Sequence, residues 1–91
     1  MNKNECKKYI RRAFKKLISD NKSISISNME MEMKKIINEQ MEEYISYTKI
    51  AIHNMKFTAN TEITLKDIFD EIDILPKIYS RKVAILRAKQ L

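Results

Sequence analysis

The chain has 91 residues, a net charge of +6, a lone cysteine, a single proline and no glycine or tryptophan. One cysteine excludes an internal disulfide and a thiolate zinc cluster. The lack of glycine argues against phosphate loops, dinucleotide fingerprints and nucleophile elbows, whose backbones need it. No apolar run approaches 18 residues, so we expect neither a membrane span nor secretion. These features favour an intracellular helical protein and disfavour an enzyme, a metal site or a cofactor site.

Charge is segregated along the chain. Residues 1–26 carry eight Lys and Arg against two Asp and Glu, which gives +6, and residues 27–60 carry four against five, which gives −1. Residues 61–75 carry one against five (−4), and residues 76–91 carry five against none (+5). A charge that served solubility alone would not separate in this way, whereas a polyanion binds such basic segments directly.

The first predicted helix begins near residues 2–4, where Asn2 and Glu5 have the spacing of a capping box, and ends near Ser19. Its apolar residues fall on one half of a helical wheel. They are Cys6, Tyr9, Ile10, Ala13, Phe14, Leu17 and Ile18. The other half is basic and carries Lys8, Arg11, Arg12, Lys15 and Lys16. This helix is therefore predicted to have one face for a core and one for an anion.

A long central helix is predicted from Ser27, which forms a capping box with Glu30, to about Lys56. At 1.5 Å per residue it would be roughly 44 Å long. A compact domain of this size is only about 30 Å across, so the helix would extend beyond its own globule. We therefore expect an obligate dimer in which a second chain covers the helix. The expected interface residues are Met33, Ile37, Met41, Tyr44, Ile45, Thr48, Ile52 and Met55.

Two short links are predicted to be extended: Ser23–Ser27, where Ile and Ser alternate, and residues 62–64. Thr64 and Asp67 have the spacing of a third helix cap, which starts a short helix over about residues 65–75. Pro76 suits the first turn of a terminal helix that ends near residue 91. The fold class is thus all-α, with residues 1–91 in a single domain.

This order of elements resembles the histone fold, in which a short helix, a long central helix and a short helix follow one another. The matching stretch is Glu62-Ile63-Thr64-Leu65-Lys66-Asp67-Ile68, which resembles the second loop and third-helix start of core histones. Further short matches resemble the B-type core histone: Ile26-Ser27, Ile37-Asn38-Glu39, Lys49-Ile50-Ala51 and Ile74-Leu75-Pro76 before an extra C-terminal helix. The resemblance implies a handshake dimer whose partner is a second histone-fold chain, either the same or different.

The resemblance also implies a DNA-packaging function, in which helix N-termini and basic side chains bind duplex phosphates without reading sequence. The implied DNA-binding residues are Lys7, Lys8, Arg11, Arg12, Lys15, Lys16, Lys22, Ser23, Ser27, Lys56, Thr64 and Lys66. Such dimers would work within a nucleosome-like assembly on chromatin in a nucleus, or in a virion or viral factory if the source is a virus. No cofactor, membrane or small-molecule substrate is expected.

Departures from the histone pattern leave an alternative open. Asn60, Thr61 and Glu62 stand where core histones carry a basic residue and Thr, so Asp67 lacks its usual partner. The long basic tail of eukaryotic core histones is not evident either. These departures favour a histone-fold subunit of a transcription or centromere-type complex, which acts mainly through protein contacts.

Interpretations that involve no DNA also apply to the charged groups. The basic face of the first helix is alternatively a solvated surface or a membrane-surface helix. His53 has no second His or Cys near it in sequence, so we expect a solvated side chain. The carboxylates that follow Thr64 are expected to face a protein partner or the basic C-terminal helix. They are Asp67, Asp70, Glu71 and Asp73.

Overall fold

The computed structural model describes residues 1–55 and 62–91, and in these ranges the chain is all-helical, as predicted. Its helices are α1 (Lys3–Ser19), α2 (Ile26–Lys34), α3 (Glu42–Met55), α4 (Leu65–Ile78) and α5 (Arg81–Ala88), with a 3-10 turn at Glu39–Met41. The described residues have a radius of gyration of 12.0 Å and extents of 33 × 30 × 24 Å. Helix α3 lies at the centre, packed against α2, α4 and α5, while α1 packs against α2 and α4.

The prediction of a single helix from Ser27 to Lys56 is wrong. Two helices, α2 and α3, occupy this part of the chain and pack against each other, joined by the link Lys35–Met41. Helix α2 ends where the carbonyl of Met33 accepts hydrogen bonds from the N–H groups of both Ile36 and Ile37, each at 3.0 Å. The link has seven residues, close to two helical turns, so the apolar period continues in phase through the break. Lys56 lies outside the described residues.

The side chains predicted to form a dimer interface instead form the core of one chain. Met33, Tyr44, Ile45, Thr48 and Ile52 are each no more than 7% exposed. The other three, which are Ile37, Met41 and Met55, are half-buried against the same core. The expectation that a second chain covers this apolar face is therefore corrected, because α2 folds back and covers it.

Helix α1 agrees with its prediction at both ends. The Asn2 side chain accepts a hydrogen bond from the Glu5 N–H at 3.0 Å and caps the first turn. The inward side chains Cys6, Ile10, Ala13 and Leu17 are buried. The predicted apolar face is slightly too wide, since Ile18 at its edge is 58% exposed.

The link before α2 is not a strand. Ser25 caps α2 by accepting a hydrogen bond from the Asn28 N–H at 3.1 Å, and Ser27 lies inside the helix, so the predicted Ser27–Glu30 cap is wrong. No strand forms anywhere in residues 1–55 or 62–91, and a lone period-two segment has no ladder to join.

The cap at Thr64 is confirmed, but the C-terminal boundary is not. The Thr64 hydroxyl accepts from the Asp67 N–H at 3.2 Å, and the Asp67 carboxylate accepts from the Thr64 N–H at 3.3 Å. Pro76, predicted to begin the last helix, instead lies within α4 two residues before its end. Ser80 caps α5 by accepting from the Val83 N–H at 3.3 Å.

Candidate nucleic-acid interface

The basic face predicted on α1 is exposed to solvent. Helix α1 carries seven Lys and Arg against one Glu, a charge of +6. The side chains on its outer surface are Lys8, Arg11, Arg12, Lys15 and Lys16, and all five are exposed. Only Lys16 forms an ion pair with a described residue, bonding to Asp20 at 3.2 Å on the surface. Most of this positive charge is therefore not neutralised within the described part of the chain.

Lys7 points away from this face and pairs within the chain. Its Nζ lies 2.7 Å from Oδ1 of Asp73 on α4 and 5.7 Å from the centre of the Phe69 ring. The hydrogen bond from Lys7 lowers the pKa of the Asp73 carboxyl. Arg11, one turn further along α1, also lies over the Phe69 ring, with its guanidinium carbon 5.4 Å from the ring centre. The Phe69 ring thus holds Arg11 on the exposed face, whereas the charge of Lys7 is paired with the Asp73 carboxylate.

A groove between α1 and the end of α2 adds a cation that the sequence did not indicate. The groove has a volume of about 460 Å³ and is lined by Arg12, Lys15, Lys16 and Lys35, with Ala13, Ile36 and Glu32. Glu32 is only 6% exposed, and its carboxylate lies 3.0 Å from Lys35 Nζ. Four cations against one carboxylate leave the groove with a charge of +3. Lys35 keeps a right-handed helical conformation at the end of α2, and the packing of α2 against α1 brings it here.

The loop residues predicted to contact DNA lie at the far end of α1. Lys22 and Ser23 line an open surface groove together with Glu62 and Ile63, which precede α4. The two links that were predicted to be extended therefore meet within one chain. The Ser27 hydroxyl is exposed, 3.5 Å from that of Ser25. Glu62 places a carboxylate beside Lys22, which weakens this end as an anion site.

The start of α4 is separate from the basic face and is acidic. Two N–H groups at this end, those of Thr64 and Asp67, are engaged in the reciprocal bonds of the capping box. Lys66 bonds to Asp70 at 2.8 Å, and this hydrogen bond raises the pKa of Lys66. Thr64 and Lys66 are thus placed among carboxylates.

The buried thiol of Cys6 and phenol of Tyr44 are held neutral. Burial raises the pKa of the Cys6 thiol to about 12, and the same cause, helped by Glu5, raises that of the Tyr44 phenol to about 12. The Tyr44 hydroxyl donates to the Glu5 carboxylate at 3.3 Å. Cys6 is fully buried and packs in the core, as predicted, while His53 is half-buried rather than freely solvated.

Metal and membrane signals are absent from the described part of the chain. Residues 1–55 and 62–91 contain no group of three or more His, Cys, Asp or Glu side chains placed to hold a metal ion. None of the described helices is both long enough and apolar enough to cross a bilayer.

Comparison of the chain with protein-family models, with curated proteins and with solved structures finds no match in any of the three.

Proposed function

We propose that the protein binds the phosphate backbone of double-stranded DNA, without sequence preference, through the basic face of α1 and the adjoining groove that contains Lys35. The observation that carries this proposal is the row of exposed cations on α1. Lys8, Arg12 and Lys15 have no acidic partner within 4.0 Å among the described residues, so their charge is available to an external anion.

The dimensions of the row suit a duplex. From Lys8 to Lys16 the helix rises about 12 Å. Duplex DNA presents one phosphate charge per about 1.7 Å of axis, so about seven phosphates fall within that length. The outward side chains of α1 include no exposed aromatic ring, since Tyr9 and Phe14 are half-buried against the core. Single-strand binding relies on stacking against such rings, so the surface favours a duplex.

The handshake dimer is not part of this proposal. A histone fold needs one helix through Lys35–Met41, and the chain makes a helical hairpin there. We retain from the histone resemblance only the contact between basic helix and phosphate backbone. Wrapping of DNA in a nucleosome-like particle would require surfaces that a single chain does not provide.

The salt dependence of DNA binding tests the proposal. The double variant Arg12→Ala/Lys15→Ala removes two unpaired cations of the basic face. Each phosphate contact contributes about 0.9 to the slope of log affinity against log salt, so we expect a slope smaller by about 1.8. The measurement is fluorescence anisotropy with two duplexes of unrelated sequence, which should bind equally.

The matched control is Lys34→Ala/Lys66→Ala. It removes the same amount of positive charge, but the two lysines that it replaces are paired with Glu30 and Asp70. We expect its slope to change by less than about 0.5. Equal changes for the two double variants would mean that only net charge matters, and the assignment of the α1 face would then be abandoned.

A further inference from the structure

The outer face of α4 combines apolar and acidic side chains. Ile74 is 50% and Ile78 is 64% exposed, although α4 buries Ile68, Ile72 and Leu75 on its other side. Asp67, Asp70, Glu71 and Ile74 line a groove of about 240 Å³ whose other described walls are Met55, Glu62 and Ile63. We call this surface the α4 groove. Exposed apolar side chains among carboxylates suit a partner helix that is itself apolar and basic.

The outer face of α5 has the opposite charge. Helix α5 packs on α3 through Ala84 and Ala88, both at most 2% exposed. On the other side Val83 is 48% and Leu86 is 55% exposed. The cations that flank these two side chains are Lys82, Arg87 and Lys89, and all three are exposed. We call this surface the α5 face.

The two surfaces do not meet within the chain. Helix α5 packs mainly against α3, and its Arg81 lies 4.0 Å from Glu43 of that helix. In the described part of the chain, the α4 carboxylates that form ion pairs do so with α1 and α4, Asp73 with Lys7 and Asp70 with Lys66. The expectation that the acidic stretch serves its own C-terminal helix is therefore not met inside one molecule.

We propose that the α5 face of one copy docks in the α4 groove of a second copy. The described lining of the α4 groove includes four carboxylates, those of Glu62, Asp67, Asp70 and Glu71, and no cation, whereas residues 81–89 carry four cations and no acid, so the charges of the two surfaces are complementary. The exposed Val83 and Leu86 would pack against Ile74 and Ile78. The eight residues of α5 extend about 12 Å, shorter than the roughly 17 Å from Asp67 to Ile78.

The contact is heterologous, because a different surface is used on each copy. Such contacts leave one groove and one α5 face free at the ends, and they form rings or open chains of molecules. Two short helices bury less than a standard interface, so the association is weak and falls with salt. The association requires no DNA. Its failure in the experiment below would therefore leave the proposed DNA binding untouched, and the reverse also holds.

Sedimentation equilibrium without DNA tests this proposal, from about 10 µM to about 1 mM protein. We expect the protein to self-associate at low salt and to dissociate as salt rises. Asp70→Lys/Glu71→Lys and Lys82→Glu/Arg87→Glu should each lower the association constant by about tenfold or more. Leu86→Ser, which leaves charge unchanged, should also weaken it.

Mixing the two charge-reversed variants gives the decisive result. The first variant places two new cations in the groove and the second places two new carboxylates on the α5 face, so these two surfaces attract each other, and the remaining surfaces keep the original pairing. We therefore expect the equimolar mixture to associate although each variant alone does not. A monomeric wild-type protein across the whole range would overturn the proposal, as would a mixture that stays monomeric while circular dichroism shows both variants folded.

Discussion

Replacing Glu39 with proline distinguishes the helical hairpin from one continuous helix. Glu39 is exposed and is the first residue of the 3-10 turn Glu39–Met41, where the fixed φ of proline fits. No described residue accepts a hydrogen bond from its N–H, and Asn38 before it belongs to no helix. Asn38 can therefore take the extended conformation that a following proline favours. We expect the free energy of unfolding to change by less than about 1 kcal/mol.

A continuous helix from Ser27 to Lys56 would respond very differently. Proline at position 39 would then remove a helical hydrogen bond and clash with the preceding turn, at a cost of about 3 kcal/mol or more. For a domain of this size that loss lowers the melting temperature by about 12 to 24 °C. The change is thus large enough to be measured by thermal unfolding followed with circular dichroism.

Lys49→Pro is the matched control, because position 49 lies in the middle of α3 and is helical in both arrangements. We expect Lys49→Pro to be strongly destabilised and Glu39→Pro to melt close to the wild type. If the two variants lose similar stability, the hairpin is refuted and the continuous-helix dimer becomes the better description. Sedimentation of Glu39→Pro would then also report loss of a dimer.

Three further predictions concern stability. Met33→Ala should cost about 2 to 5 kcal/mol in urea unfolding, whereas Met31→Ala, at a site 60% exposed, should change stability by less than about 0.5 kcal/mol; equal effects would contradict the burial of Met33. Thr64→Ala should cost about 1 kcal/mol by removing half of a capping box, and Thr64→Ser should restore most of it. Burial raises the pKa of Cys6 from 9.0 to about 12, so the folded chain binds this proton more tightly than the unfolded chain. The resulting stability is complete below about pH 9 and is lost as pH rises towards 12; Cys6→Ala should flatten this decline, and an unchanged pH profile would contradict it.

Local signals in the sequence were sufficient for α1 and for the start of α4. At both sites a polar side chain precedes a run with helical period, and the cap depends only on residues three positions apart. The basic face of α1 could be predicted for the same reason, since the wheel fixes which side chains lie opposite Cys6 and Ile10. Membership of the core was also largely predictable, as Met33, Tyr44 and Ile52 are buried whichever chain covers them.

What covers those side chains was decided only by the tertiary structure. The spacing of apolar residues shows which face of a helix is buried. It cannot distinguish one helix of 30 residues from two helices separated by about two turns, because the spacing stays in phase in both cases. The choice between them depends on whether Met29 and Met33 can pack on α3 from the same chain, which is a long-range contact. The packing of α2 against α1 likewise places Lys35 in one groove with Arg12, so the basic groove depends on a long-range contact. The sequence by itself thus determined the charge and the buried faces, while the packing of α2 onto α3 and α1 decided which cations share a surface.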